Sequence, residues 1–155
     1  MKHSLPVCAL LGLAAATIAM PVAARADGPI LLMSMTELKA NSGGHFVTKA
    51  SINGSDILAL VDTGATTVAL SYEDAEEAGL RPASLDFDVP VSTANGLTKA
   101  ARVKIDRIEV DGISVDDVEA MVLPEGALDG TLLGMTFLGR LSSFKVEEGI
   151  LYLRD

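Results

Sequence analysis

The chain has 155 residues, a net charge of −9, one Cys, two His and no Trp. That length fits one domain, and the excess of acid argues against nucleic acid or an anionic lipid surface as partner. With so little Cys and His there is no disulfide framework and no His-rich metal site, so chemistry falls to carboxylates, hydroxyls and backbone.

Lys2 and His3 make a short basic start, Leu5 to Met20 is apolar, and Ala24-Arg25-Ala26 presents small residues where a signal peptidase reads. Residues 1–26 are therefore expected to be a signal peptide, with an uncleaved signal anchor as the alternative. Cleavage removes Cys8, His3, Lys2 and Arg25, leaving 129 residues with a net charge of −11 and His45 as the last histidine. No later stretch approaches the roughly 20 apolar residues of a membrane span.

Residues 27–43 lack a clean period and read as an N-terminal arm plus turn. From Phe46 to Ile52 the pattern has period two, Asn53-Gly54 signals a tight turn, and Ile57 to Val61 reads as a buried strand. This hairpin runs directly into Asp62-Thr63-Gly64-Ala65. A helix is expected after Leu70, with Ser71 and Asp74 as a capping box, an acidic first part, and Gly79 and Pro82 beyond its end. Val89 to Val91 and Thr98 to Ala101 flank Asn95-Gly96, and Val103 to Val110 and Ile113 to Val122 flank Asp111-Gly112, giving two further hairpins. Leu132-Leu133-Gly134 leads into a short helix over Met135 to Leu141. Phe144 to Val146 and Ile150 to Leu153 close the pattern around Glu148-Gly149. Many short strands with Gly-based turns and one or two helices predict an all-β barrel or closed sheet.

Among 21 acidic residues, most have ordinary explanations. Glu73, Asp74, Glu76 and Glu77 fit a solvated, capped helix face. Asp106, Glu109, Asp111, Asp116, Asp117 and Glu119 fit solvated strand faces, and their spacing is not that of a calcium loop. No metal site is expected. Asp62 differs, because an acid at the end of an apolar strand is costly without partners. Thr63 supplies a hydroxyl, and Gly64 lets backbone N–H groups approach the carboxylate. A lone carboxylate does little hydrolysis, whereas two in contact share a proton and divide the work of base and acid. With a single Asp-Thr-Gly, the second carboxylate must come from another molecule at a two-fold axis.

These motifs, in this order, resemble the retropepsin-like (clan AA) aspartic proteases, specifically an exported bacterial branch. The resemblance runs from about Gly44 to Asp155. Gly44-His45-Phe46, Ile52-Asn53-Gly54, Leu60 to Thr66, Val68 to Ser71, Ser92 to Gly96, Asp117 to Ala120 and Leu132 to Leu141 all match its pattern. It implies a retropepsin-like closed β-barrel subunit over 44–155, with one or two short helices, acting as a homodimer. By position it implies Asp62 as the catalytic acid, with Thr63, Gly64 and Ala65 supporting its loop. Thr93, Ala94, Asn95 and Gly96 fall at the flap, and Leu132, Leu133 and Gly134 pack under the site. Terminal strands pair between subunits in such relatives, which points to Ile150 to Leu153, with Leu31 to Met35 as a second candidate. The implied activity is endopeptidase hydrolysis of extended peptides without a cofactor, and the implied location is the bacterial periplasm. The rival reading is a non-proteolytic module of the same fold that binds extended peptide segments. Ala65 stands where a hydroxyl would otherwise donate to the catalytic carboxylate, which predicts a mildly acidic to near-neutral pH optimum.

Overall fold

Three two-residue turns set the strand register. Asn53-Gly54, Asp111-Gly112 and Glu148-Gly149 each place two successive residues at positive φ (51° and 89°, 46° and 83°, 49° and 77°). That is type I′ geometry, whose twist matches the flanking strands. These turns join β2 (Val47–Ile52) to β3 (Ser55–Val61), β6 (Gly96–Val110) to β7 (Ile113–Val122), and β9 (Ser143–Glu147) to β10 (Ile150–Arg154). The structure, a computed structural model, describes residues 34–93 and 96–155. The expected signal peptide and Ala94-Asn95 lie outside the described residues.

The remaining strands are β1 (Met35–Lys39), β4 (Val68–Leu70), β5 (Val89–Thr93) and β8 (Thr131–Leu133), with helices α1 (Tyr72–Glu77) and α2 (Met135–Leu138). The main sheet runs β2-β3-β8-β4-β7-β6-β5, and β2 also pairs with β6 through Ser51↔Glu109 and Ile52↔Ile108. Six strands thus close on themselves as a barrel, leaving β5 outside as one arm of a projecting hairpin. Inward positions alternate with outward ones: Thr48, Ala50 and Ile52 on β2, and Ile113, Val115, Val118, Ala120 and Val122 on β7, are buried. Ile52, Ile105, Ile108, Leu133, Phe137 and Leu138 are fully enclosed in this core.

Several expectations are refined. β6 was expected as two strands, yet it is one strand of 15 residues. No Gly or Pro interrupts Leu97 to Val110, so its first part pairs with β5 and its second with β7 without a break. β3 is not buried throughout: Ile57 and Ala59 are, but Leu58 is 69% exposed. Among the described residues no layer covers its outer face, so period-two geometry exposes an apolar side chain there. α1 begins as expected, with Ser71 Oγ accepting from the Asp74 N–H at 3.1 Å. The Asp74 carboxylate is not merely solvated, because buried Thr131 donates to it at 2.7 Å and ties α1 to β8.

The segment read as an arm contains β1, which joins β10 and β9 in a three-stranded sheet of order β1-β10-β9. The pairing of Ile150 to Leu153 with a second subunit is therefore corrected. Both edges of β10 are taken within its own chain, by β1 from Met35↔Arg154 to Lys39↔Ile150 and by β9 from Ile150↔Glu147 to Arg154↔Ser143. A strand with two occupied edges has no backbone groups left for a third. Of the second candidate, Leu31 to Met33 lie outside the described residues, and Met35 opens β1.

Candidate active site

β3 delivers Asp62 to a junction where the sheet changes partners. β8 lies between β3 and β4, parallel to β3 (Leu60↔Leu132, Val61↔Leu133) and antiparallel to β4 (Ala69↔Leu132). The chain must therefore leave β3 beside β8, loop outward, and return on its other side. Residues 62–67 form that loop, with Asp62 partly buried and Thr63 and Gly64 exposed.

The loop is held almost wholly by backbone. Asp62 N–H donates to the Leu133 carbonyl at 3.1 Å, and Ala65 N–H donates to the Asp62 carbonyl at 3.2 Å. Met135 N–H donates to the Ala65 carbonyl at 2.9 Å. Gly64 N–H donates to Asp62 Oδ1 at 2.8 Å, which orients the carboxylate. A Cβ on Gly64 would stand 3.1 Å from that same oxygen, so the glycine permits the approach.

Leu133 and Gly134 lie against this loop, and Leu132 lines the cleft beside it. Gly134 has no room for a side chain: a Cβ there would press on the Thr67 carbonyl oxygen and lie 2.7 Å from the Ala65 carbonyl oxygen. One residue missed in the sequence is Thr136, on α2. Its Oγ1 accepts from Val68 N–H at 2.9 Å and donates to the Glu119 carbonyl at 2.7 Å, clamping the returning end of the loop to β7. A Thr two places after Gly134 is a weak signal, because only the tertiary fold brings Val68 and Glu119 to it.

The carboxylate opens on a cleft of about 590 Å³. Its floor is Asp62, Gly64, Ala65 and Leu132, one wall is Met121, Leu123, Ala127 and Leu128, and Val91, Ser92 and Thr93 of β5 reach it from the hairpin. Of the expected flap residues, Thr93 lines the cleft and its Oγ1 donates to the Gly96 carbonyl at 3.0 Å. Gly96 has a φ of 111°, while Ala94 and Asn95 lie outside the described residues. An apolar trough with one oriented carboxylate suits an extended chain whose backbone crosses the acid.

Among the described residues, no other acidic side chain lines this cleft. Arg107 grips Asp116 with two hydrogen bonds of 2.6 and 3.1 Å, and Lys104 pairs with Asp117 at 2.5 Å. All four are exposed. The hydrogen bond from Arg107 holds the Asp116 carboxyl below its ordinary range, and the same contact raises the guanidinium. His45 is exposed at a turn that Asn41 braces through the His45 N–H.

Comparison with known proteins agrees with this geometry. Residues 48–140 match a family model described as "gag-polyprotein putative aspartyl protease". Over 112 residues the chain is 48% identical to a Sinorhizobium protein named only by its position in the cobV 5′ region, covering 72% of this chain and 48% of the relative. Over 115 residues it is 36% identical to protein RP867 of Rickettsia prowazekii, covering 74% and 49%. The chain thus spans about half the length of the curated relatives it matches. Among solved structures it is similar to a retropepsin-like aspartic protease from Rickettsia conorii, 32% identical with a TM-score of 0.72, over 79% of this chain and 91% of that one. It also shares its fold with the EIAV protease complexed with the inhibitor HBY-793, at 20% identity and a TM-score of 0.54, over 66% and 93% of the two chains.

Proposed function

The chain belongs to the gag-polyprotein aspartyl protease family, with the retropepsin-like fold, and on that footing we propose that it is an aspartic endopeptidase whose site is completed by a second copy. The observation that carries the proposal is Asp62, held by the Gly64 N–H at the floor of a peptide-sized apolar cleft. Two Asp62 carboxylates meeting at a two-fold axis share one proton, since like charges in contact resist joint ionisation. The charged one takes a proton from water as its oxygen attacks the scissile carbonyl carbon. The protonated one gives its proton to the carbonyl oxygen, forming a neutral tetrahedral gem-diol. Proton transfer to the amide nitrogen then lets the C–N bond break, releasing a carboxyl and an amine.

The chain's other groups position rather than react. Gly64 N–H orients the carboxylate, exposed Thr63 faces outward where a partner's loop would meet it, and the β5–β6 hairpin supplies a roof for an extended peptide. The N-terminal residues 1–26 support export, with the periplasm as the site of action and a signal anchor as the alternative. Incubation of the full chain with a mixed peptide library across pH tests the activity. Cleavage is expected in the mildly acidic to near-neutral range and is expected to vanish in Asp62→Asn. Persistence of cleavage in that variant would refute the proposal, and saturable peptide binding without turnover would favour a non-proteolytic module.

A further inference from the structure

One row of side chains crosses the sheet beneath the cleft. The strand registers pair Leu60 with Leu132, Leu132 with Ala69, Ala69 with Met121, and Met121 with Arg102. Residues directly opposite one another share a face of the sheet, so the five lie side by side on the outer face of the barrel. Leu132, Ala69 and Met121 line the cleft, and the row ends on Arg102, which is exposed. The projecting hairpin places Arg102 on the same side. Thr98 is opposite Val91, which lines the cleft, and alternation along β6 puts Thr98, Ala100 and Arg102 on one face.

Four of the chain's 12 Lys and Arg lie on β6, and Arg102 differs from the other three. Lys104 and Arg107 are held by Asp117 and Asp116. Lys99 is opposite Pro90, on the face of the hairpin turned from the cleft. Glu119 is opposite Lys104 and so only diagonal to Arg102. Among the described residues, neither Arg102 nor Glu119 forms an ion pair. Neighbouring strands are about 4.8 Å apart, which puts Arg102 about 14 Å from Leu132 across β4 and β7. Leu132 adjoins Leu133, whose carbonyl accepts from the Asp62 N–H. An extended peptide advances about 3.3 Å per residue, so about four residues cover that distance.

Building on the reading of the cleft as a peptidase site, we propose that Arg102 selects the substrate. It receives the carboxylate of an Asp or Glu carried about four residues from the scissile bond. The planar guanidinium offers paired N–H donors to both carboxylate oxygens. The contact forms in solvent, so it discriminates by a modest factor and weakens with added salt. The chain as a whole is acidic, so a preference for acidic peptides runs against its net charge and marks a local contact.

The test measures peptide binding to the full chain carrying Asp62→Asn, by fluorescence anisotropy at low salt. Labelled peptides share an apolar centre and carry Glu, Gln or Lys about four residues to either side of it. The Glu peptide is expected to bind about three- to fivefold more tightly than the Gln peptide, with the Lys peptide weakest. Adding Arg102→Gln should level the three, and adding Arg102→Glu should reverse their order. Affinity independent of peptide charge, a preference for Glu that survives in Arg102→Glu, or no binding of any peptide would overturn the proposal. Cleavage of the same peptides by the wild type separates the two readings. Asp62-dependent cleavage without a preference for Glu refutes the role of Arg102 alone. Arg102-dependent binding with no cleavage refutes the protease reading and leaves the acid-binding site standing.

Discussion

Gly134→Ala is the sharpest test of how the Asp62 loop is held. One methyl group would press on the Thr67 carbonyl oxygen and stand 2.6 Å from the Thr67 carbonyl carbon and 2.7 Å from the Ala65 carbonyl oxygen. All three atoms are backbone, so no side chain can rotate away. Relief requires moving the loop off α2, which strains the Met135 N–H bond to the Ala65 carbonyl at 2.9 Å. Overpacking of this kind costs about 1–3 kcal/mol, and loss of the hydrogen bond adds about 1 kcal/mol. The backbone of Gly134 is at φ −90°, which alanine adopts freely, so reduced freedom in the unfolded chain returns about 0.4–1 kcal/mol. The net expectation is a loss of about 1–3.6 kcal/mol, a sizeable part of a typical domain's stability of about 5–15 kcal/mol. By thermal unfolding that is a fall of roughly 2–4 °C for each kcal/mol lost. Cleavage should fall further than stability, since the displaced Ala65 carries Asp62 with it. A variant within about 0.5 kcal/mol of wild type in urea unfolding and with full turnover would refute the account.

Thr136→Val keeps the shape but removes the donor to Glu119 and the acceptor for Val68; a loss of about 1–3 kcal/mol is expected by urea unfolding, and wild-type stability would contradict it. Ala65→Ser offers a hydroxyl beside the carboxylate, which favours the charged form. The acid limb of the pH–rate profile should then move to lower pH, and an unchanged profile would count against the geometry. Asp116→Asn removes the group whose titration Arg107 pulls below its usual range. A carboxyl lowered in the folded state contributes stability at neutral pH that is lost as pH falls through its folded value. The small gap in stability between wild type and this variant should therefore close as pH falls through and below the ordinary carboxylate range, and a gap that widened there would reverse the sign.

What could be read along the chain was what depends on near neighbours. Asn53-Gly54, Asp111-Gly112 and Glu148-Gly149 declare their turns because positive φ at both positions is cheap for those residues. Ser71 declares its helix because its hydroxyl bonds a backbone N–H three residues on. Asp62 stood out because an acid closing an apolar strand needs local donors, and Gly64 provides one. The pairings of distant segments were not available in this way. Leu58 reads as buried by composition, yet is exposed because, among the described residues, no layer lies over β3. Thr136 and Gly134 acquire their roles only because β8 is inserted between β3 and β4.

The terminal strands show the division most clearly. Period-two patterning located Phe144 to Val146 and Ile150 to Leu153 as strands, since alternation is a property of each segment alone. It could not say which edges would be free, because an edge is defined by what else pairs with it. The structure places β1 against β10, closes the C-terminal strand on both sides and, among the described residues, leaves the outer edge of β9 unpaired. Sequence alone determined the acid, its loop and the turns, through backbone preference and local hydrogen bonds. The tertiary structure decided the cleft around that acid and which strand edges stay open among the described residues, because both are made by strands far apart in the chain.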